Sequence, residues 1–471
     1  MGINFLLAPL YSIYLAPDEY GIIGLADIFN GFVAVLLSLG IKQAYARFFF
    51  DYYKKPKDLN ALFTTSLFWM LSMFGIVAVV LYFVGDWLFG ISFNSPGFSY
   101  SKFGWLILLS TNFTLINELF LSHYRNQENV KAYGMLSLGF FLTNLVCILG
   151  GVVWLEYGAM GNIAGRAIGS TAFMVLAILV YLFRNGIHIH FKFIKPMLEY
   201  GLPLIPYSLL LVAYNKIDRI MIDQFFDLDA LGRYNFAFLM GTAISVVQYS
   251  VYNAINPRLF KLLSEKGEGY QKEVSQIHQV FQLFMMAIIV MAIAVAIPIL
   301  QLLIDPKYFP IGEYIGLLFL FYFAQNFYII YTLPLFYYKR TKVMPFISLI
   351  ALVGGVIFNL VLIPPFGILG VCFAVIFTKY TQLGGALFFN RVYDYHKLPL
   401  FGLTKNVYAV AFITLSYIGV YLFLQFTEAE LSYMWLNFLP LVLFGLMAVS
   451  VFNRQISKVL VLIRETLKGM A

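Results

Sequence analysis

Residues 214–223 read YNKIDRIMID and set Lys216, Asp218, Arg219 and Asp223 between apolar runs on either side. On membrane-insertion scales each such charge costs about 2.5–3.5 kcal/mol at the centre of a span, against about 0.3–0.6 kcal/mol gained per Leu, Ile, Phe or Val. Charges therefore persist in a span only where water, a counter-charge or a ligand meets them. On a helix Lys216, Arg219 and Asp223 fall at i, i+3 and i+7 and share one face, with Asn215 and Asp218 beside it. That stripe predicts a helix lining a wet cavity. Two plainer readings stand beside it: Asp218 or Asp223 neutralises Lys216 or Arg219 as a structural ion pair, or the charges snorkel to the outer interface.

Other polar residues in apolar surroundings join the candidate cavity. They are Asp27 and Asn30, Arg166 in GNIAGRAIGST, Gln248, Tyr252 and Asn256 at i, i+4 and i+8, Gln325 and Asn326 in YFAQNFYIIY, and Lys379 with Gln382. Opposed basic residues suit an anion, and the guanidinium fork matches phosphate in two parallel hydrogen bonds. The plainer reading of Arg166 is a guanidinium bonded to backbone carbonyls among small neighbours. Tyr322, Tyr328 and Tyr331 flank Gln325 and Asn326, an aromatic and amphipathic pattern that can stack on sugar rings while bonding hydroxyls. For any single Tyr, interfacial belt or core packing is the simpler role.

The elements that must carry these residues follow from composition. The chain has 471 residues, 61% hydrophobic and 11% charged, with a mean hydropathy of +0.83, whereas a soluble domain is about a quarter charged. This is the composition of a polytopic all-α membrane protein, with no polar stretch long enough for a separate soluble domain. Apolar stretches predict about 14 helices, at 1–15, 20–49, 61–89, 103–122, 134–155, 160–183, 199–224, 231–256, 276–304, 311–336, 344–363, 367–389, 404–426 and 433–452. The first is short and lacks a basic flank, which predicts further residues upstream and argues against a signal peptide. Lys and Arg concentrate in alternate loops, from Lys54, Lys55 and Lys57 to Arg454 and Lys458, and place both termini in the cytoplasm.

The net charge of +8 is spread over these loops and does not form a nucleic-acid patch. Cys147 and Cys372 read as isolated core residues, and no phosphate loop, metalloprotease or nucleophile-elbow motif is present. The expectation is a transporter and not an enzyme, with no metal or cofactor.

An internal duplication sharpens the transporter reading. Residues 14–49 laid over 225–260 pair Asp18 with Asp229, Gly21 with Gly232, Ala26 with Ala237, Arg47 with Arg258 and Phe49 with Phe260, at an offset of 211. YGAMG at 157–161 matches FGILG at 366–370 at an offset of 209, and Arg166 and Lys379 stand 213 apart. Each copy holds about six crossings, an even number, so the two lobes run parallel about an axis along the membrane normal. The lobes are drawn at 1–198 and 199–403, with the last two helices and a cytoplasmic tail in 404–471.

The stretches FLLAPLYSIYLAPDEYGIIGLADIF, DYYKK, FIKPMLEYGLPLIPYS, KIDRIMIDQFFDLDALGRYNFAF and EYGAMGNIAG resemble the Wzx-like bacterial polysaccharide biosynthesis flippases of the multidrug/oligosaccharidyl-lipid/polysaccharide (MOP) exporter superfamily. The resemblance covers essentially the whole chain. It implies a MATE-like pair of six-helix bundles plus two helices in the bacterial inner membrane. It further implies alternating-access export of undecaprenyl-diphosphate-linked oligosaccharide for O-antigen, capsule or exopolysaccharide assembly. Partners would be membrane lipids, the lipid-linked oligosaccharide and other assembly proteins. On that basis Lys216, Arg219, Arg166 and Lys379 are candidates for the diphosphate, and Asp218, Asp223 and Asp27 for H+ or Na+ coupling. Gln248, Tyr252, Asn256, Tyr322, Gln325 and Asn326 are candidates for the sugars. A cation-coupled drug antiporter and a glycan polymerase or ligase are the rival functions.

Overall fold

The computed structural model describes residues 7–95, 97–265, 269–398, 400, 404–426 and 442. Every regular element among them is helical, as hydrocarbon demands, because a helix satisfies its backbone donors and acceptors within one segment. Eleven helical segments of the described residues are long and apolar enough to cross a bilayer, from Pro17–Ser38 to Ile368–Val392. The chain is an all-α polytopic membrane protein. Three of these segments, Pro56–Ser92, Phe191–Phe225 and Val130–Trp154, bury only 17%, 17% and 11% of their apolar windows, so most of each window lies outside the packed interior.

Among the described residues helix positions follow the apolar stretches, with two main differences. The expected span at 433–452 lies outside the described residues, and the first is described only from residue 7, where Ala8–Tyr14 is helical. The span expected at 20–49 is two helices, Pro17–Ser38 and Ile41–Tyr52, parted by left-handed Leu39 (φ 41°) and Gly40 (φ 75°). A Cβ on Gly40 would come within 2.5 Å of Gly201 Cα, so the break is where two backbones meet and only glycine fits. The stretch expected at 311–336 is Ile315–Phe319, Phe321–Tyr331 and Leu333–Tyr337. Its apolar window is 94% buried, so this segment is enclosed on every face instead of amphipathic.

By packing, residues 14–235 form one compact unit, and residues 1–13 with 236–471 form the other. That division is one of contacts and leaves the duplication boundaries drawn at 198/199 and 403/404 as expectations. In the 14–235 unit an aromatic core of Tyr45, Phe49, Phe63, Phe120 and Tyr181 joins the Ile41–Tyr52, Pro56–Ser92, Trp105–Asn126 and Gly158–Asn185 helices. In the other unit Met344–Phe366 packs along Ile368–Val392, and Phe321–Tyr331 lies against the latter.

Small residues set how closely the helices approach. Gly161, Gly165 and Gly169 repeat every four residues along Gly158–Asn185 and rest on the backbone of the preceding hairpin arm, Val130–Leu149 and its π-helical end Gly150–Trp154. A Cβ on Gly165 would lie 2.6 Å from the Cys147 carbonyl oxygen. In lipid no hydrophobic force draws helices together, so such backbone approach is what van der Waals packing needs.

The duplication has structural echoes. Gly158 and Gly367 both take a left-handed φ, 54° and 57°, at the start of a helix, and Gly161 and Gly370 both press on the backbone of the helix before. Within the 14–235 unit Gly21 and Gly232, equivalents in the repeat, touch each other: a Cβ on either would strike the carbonyl of Leu228 or Pro17, themselves equivalents. A third echo joins residues again 211 apart. Asp223 accepts from Asn94 N at 2.8 Å, and in the other unit Ser12 accepts from Asp305 N at 3.1 Å.

Replacing Gly165 by Leu should therefore destabilise the fold by about 1–3 kcal/mol, the usual range for overpacking. The thermal-unfolding midpoint of purified protein reads this directly. Leu176→Ala, at a position 61% exposed on the same helix, should shift stability by no more than about 0.5 kcal/mol.

Candidate functional site

The charged run lies on Ile205–Phe225, which turns through Phe226 and Asp227 into Leu228–Glu265. Phe226 N bonds to Ile222 O at 2.8 Å, and Asp227 accepts from Ala230 N at 2.9 Å, closing one helix and capping the next. A hairpin this short brings residues equidistant from the turn face to face. Asp218 and Arg219 thus meet Tyr234 and Asn235. Arg219 Nη1 lies 3.2 Å from each Asp218 carboxylate oxygen, and its Nε donates to Asn235 Oδ1 at 2.6 Å. Tyr234 donates its hydroxyl to Asp218 Oδ2 at 2.6 Å, and its ring centroid lies 5.8 Å from the guanidinium carbon. Arg219 is 8% exposed and Asp218 4%.

A second pair lies within electrostatic reach of the first. Arg166 Nη1, on Gly158–Asn185, bonds Asp27 Oδ1, on Pro17–Ser38, at 2.9 Å, with side chains 31% and 43% exposed. Asp27 feels Arg166, Lys216 and Arg219 together, and Lys216 feels both carboxylates and both guanidiniums. Three cations face two carboxylates, so the cluster carries one surplus positive charge. Among the described residues Lys216 makes no ion pair or hydrogen bond, and its side chain is half-buried. Arrayed this way, the cluster can neutralise an anion that reaches Lys216 and Arg166.

The profile of the family described as "Polysaccharide biosynthesis protein" matches residues 14–312, more than half of the chain. The chain belongs to this family. No curated protein matches it. Among solved structures it is similar to an inward-facing multidrug resistance MATE family transporter of the MOP superfamily, with a TM-score of 0.68, 13% identity and coverage of 86% of this chain and 96% of that one. It is similar to the lipid II flippase MurJ in an inward closed conformation, with a TM-score of 0.64, 14% identity and coverage of 97% and 99%. A MATE transporter of Vibrio cholerae gives a TM-score of 0.52 at 12% identity, with coverage of 85% and 100%. At such identities the likeness shows the fold, and that fold is the one shared by the MOP transporters.

This polysaccharide biosynthesis family member thus brings together Asp27, Arg166, Lys216, Asp218 and Arg219, and disperses the other candidates. The i, i+3, i+7 stripe is not one wet face, because Arg219 and Asp223 are buried and only Lys216 of the three is half-open. Asp223, 2% exposed, holds a turn by accepting from Asn94 N and, at 2.6 Å, from Ser95 Oγ. Lys379, in the other unit, lies 5.8 Å from the centroid of the Phe321 ring.

The sugar candidates separate likewise. Gln248 donates to Tyr322 O at 3.1 Å and accepts from Gln325 at 3.3 Å, while Asn326 donates to Gln282, itself 3.0 Å from the His278 ring. Gln248, Asn326 and Tyr322 are closed off, at 0%, 0% and 1% exposure. Here they are internal struts. Tyr252 and Asn256 stand apart from that network and are half-buried.

Sequence reasoning missed Tyr234 and Asn235, the partners of the buried pair. The available signal was their mirror position across the turn at 226–227. It also missed His123, whose ring nitrogens lie 2.5 Å from Tyr45 Oη and 3.0 Å from Gln127 Nε2.

Asp218→Asn leaves a buried guanidinium without its counter-charge and should cost about 3–5 kcal/mol, whereas replacing both residues by apolar ones of similar size recovers most of the loss. Thermal unfolding of Asp218→Asn and of Asp218→Leu/Arg219→Met checks this. A single variant as stable as the wild type contradicts the assignment.

Proposed function

We propose that the protein is a flippase for undecaprenyl-diphosphate-linked oligosaccharide, serving O-antigen, capsule or exopolysaccharide assembly in the bacterial cytoplasmic membrane. The reading has both termini in the cytoplasm and alternating access as the mode of transport. The observation that carries it is the surplus positive charge at Lys216 beside the half-open Arg166–Asp27 pair, in a family named for polysaccharide biosynthesis and on a MOP transporter fold. A cation inside a span is costly unless paired or solvated, and an anionic headgroup is the ligand that turns that cost into binding.

The roles of the cluster then differ. Lys216 meets the diphosphate as a point charge, and Arg166 offers two parallel N–H bonds to its oxygens. Arg219, already held by Asp218 and Asn235, contributes field and rigidity more than direct contact. Lys379 remains a candidate on sequence grounds. Cation-coupled drug export is the second reading, favoured by the likeness to a multidrug MATE transporter. A cluster with net positive charge repels the cations such a carrier would bind, which sets it behind the flippase.

The test is translocation of a fluorescent lipid diphosphate oligosaccharide in reconstituted vesicles. A hydrogen bond to a charged group contributes about 1.5–3 kcal/mol, so Lys216→Gln should slow flipping about 10- to 100-fold, and Lys216→Arg should retain most of it. Full activity after charge removal at Lys216 and Arg166 together overturns the diphosphate reading.

A further inference from the structure

The proposed headgroup carries sugars, and Gln248, Asn326 and Tyr322, expected to meet them, are buried among their own partners. An open cavity of about 350 Å³ lies elsewhere, within the 14–235 unit. Its size is that of the smaller clefts that take organic ligands, which run from about 300 to 1,000 Å³.

Three helix faces lead from the charge cluster into this cavity. On Ile205–Phe225, Lys216, Val212 and Ser208 fall at i, i−4 and i−8 and share a face, and Val212 and Ser208 line the cavity. On Pro17–Ser38, Asp27 is followed along its own face by Gly31, Ala34 and Ser38, all lining it. On Trp105–Asn126, Thr111 donates to Asn30 Oδ1 at 2.9 Å, one turn from Asp27, and Leu115 lines the cavity one turn further on. At 1.5 Å per residue Ser208 stands about 12 Å along its helix from Lys216. Glycine contacts frame the space: a Cβ on Gly31 would come 2.9 Å from Val212 Cγ1, and Gly40 meets Gly201 at the far end.

The walls are mainly apolar, with Leu115, Leu204 and Leu211 among them, and a few polar groups converge on them: Ser38, Gln43, Ser208 and the Lys42 ammonium. Lys42 donates to Glu118, one turn on from Leu115, and the two side chains are 32% and 43% exposed. This pair adds no net charge. A second anion gains little from it, whereas hydroxyl groups gain donors from the ammonium and the serines and an acceptor from the Gln43 amide. The leucines suit the C–H face of a sugar ring.

We propose that this cavity seats the sugar bonded to the diphosphate, a neutral and hydroxyl-rich ring. Lys42 and Ser208 are its specificity contacts, and Glu118 is the residue that positions Lys42. This inference rests on the diphosphate reading above and adds to it the place where the glycan is first recognised.

The probes are water-dispersible short-chain prenyl diphosphate diesters bearing a glucosyl, galactosyl or N-acetylglucosaminyl group. The reference is the methyl diester, which has the same charge and no sugar. Each is titrated calorimetrically into the purified full-length protein. At least one glycosyl diester should bind about 30-fold more tightly than the methyl diester, as two or three hydrogen bonds allow. Lys42→Met should cut that ratio about tenfold and Ser208→Ala about fivefold, with the methyl diester bound as in the wild type, which shows each variant to be folded. Glu118→Gln keeps an acceptor for Lys42 and should retain most of the ratio, whereas Glu118→Ala should lose as much as Lys42→Met. Wild-type protein that binds methyl and glycosyl diesters alike, or a ratio unmoved by Lys42→Met and Ser208→Ala, overturns the sugar seat and leaves the anion reading standing. Failure of the wild-type protein to bind any of the diesters overturns both.

Discussion

A guanidinium inside a membrane span has to be neutralised where it sits, and the hairpin around 226–227 is built to meet that demand. Arg219 is held by Asp218 and Asn235, and Tyr234 holds Asp218 in turn. The short turn puts the four side chains at one depth. Fixing this pair also fixes where Lys216 stands, one turn away on the same helix. The pair therefore acts as the reference against which the looser charges are placed.

The contrast between the two ion pairs organises the site. Both join an Arg to an Asp at about hydrogen-bond distance, yet by side chain one pair is 9% and 6% exposed and the other 31% and 43%. Breaking a buried pair is strongly unfavourable, while a partly exposed pair contributes about 0–1 kcal/mol and can be exchanged. A carrier has to hold its scaffold and release its cargo. Placing one pair in each regime allows both.

Glycine does for the backbone what the ion pairs do for charge. Gly161, Gly165 and Gly169 let two helices approach to backbone contact, and Gly21 with Gly232 does so between equivalent positions of the repeat. Positions 211 apart make the same backbone contacts with different side chains. An acceptor at position 12 or 223 meets the N–H at 305 or 94, but it is a hydroxyl in one copy and a carboxylate in the other. Either serves, because the hydrogen bond needs only an acceptor.

Composition by itself determined that the chain lives in a membrane and is helical, since 61% hydrophobic residues in long runs admit no other solution. Gapless self-alignment pointed to a duplication, and the glycines it paired lie where backbones meet. The charges of YNKIDRIMID were legible as a site, but not which of them are free. Helical spacing put Lys216, Arg219 and Asp223 on one face, and spacing says nothing of what packs against that face. Tyr234, Asn235, Asn94 and Ser95 arrive from other segments and bury two of the three. The polar residues around Gln325 looked like a binding surface for the same reason, until surrounding helices enclosed them. Sequence sets which groups are costly to bury; only tertiary packing decides which of them receive partners, because the partners lie far away along the chain.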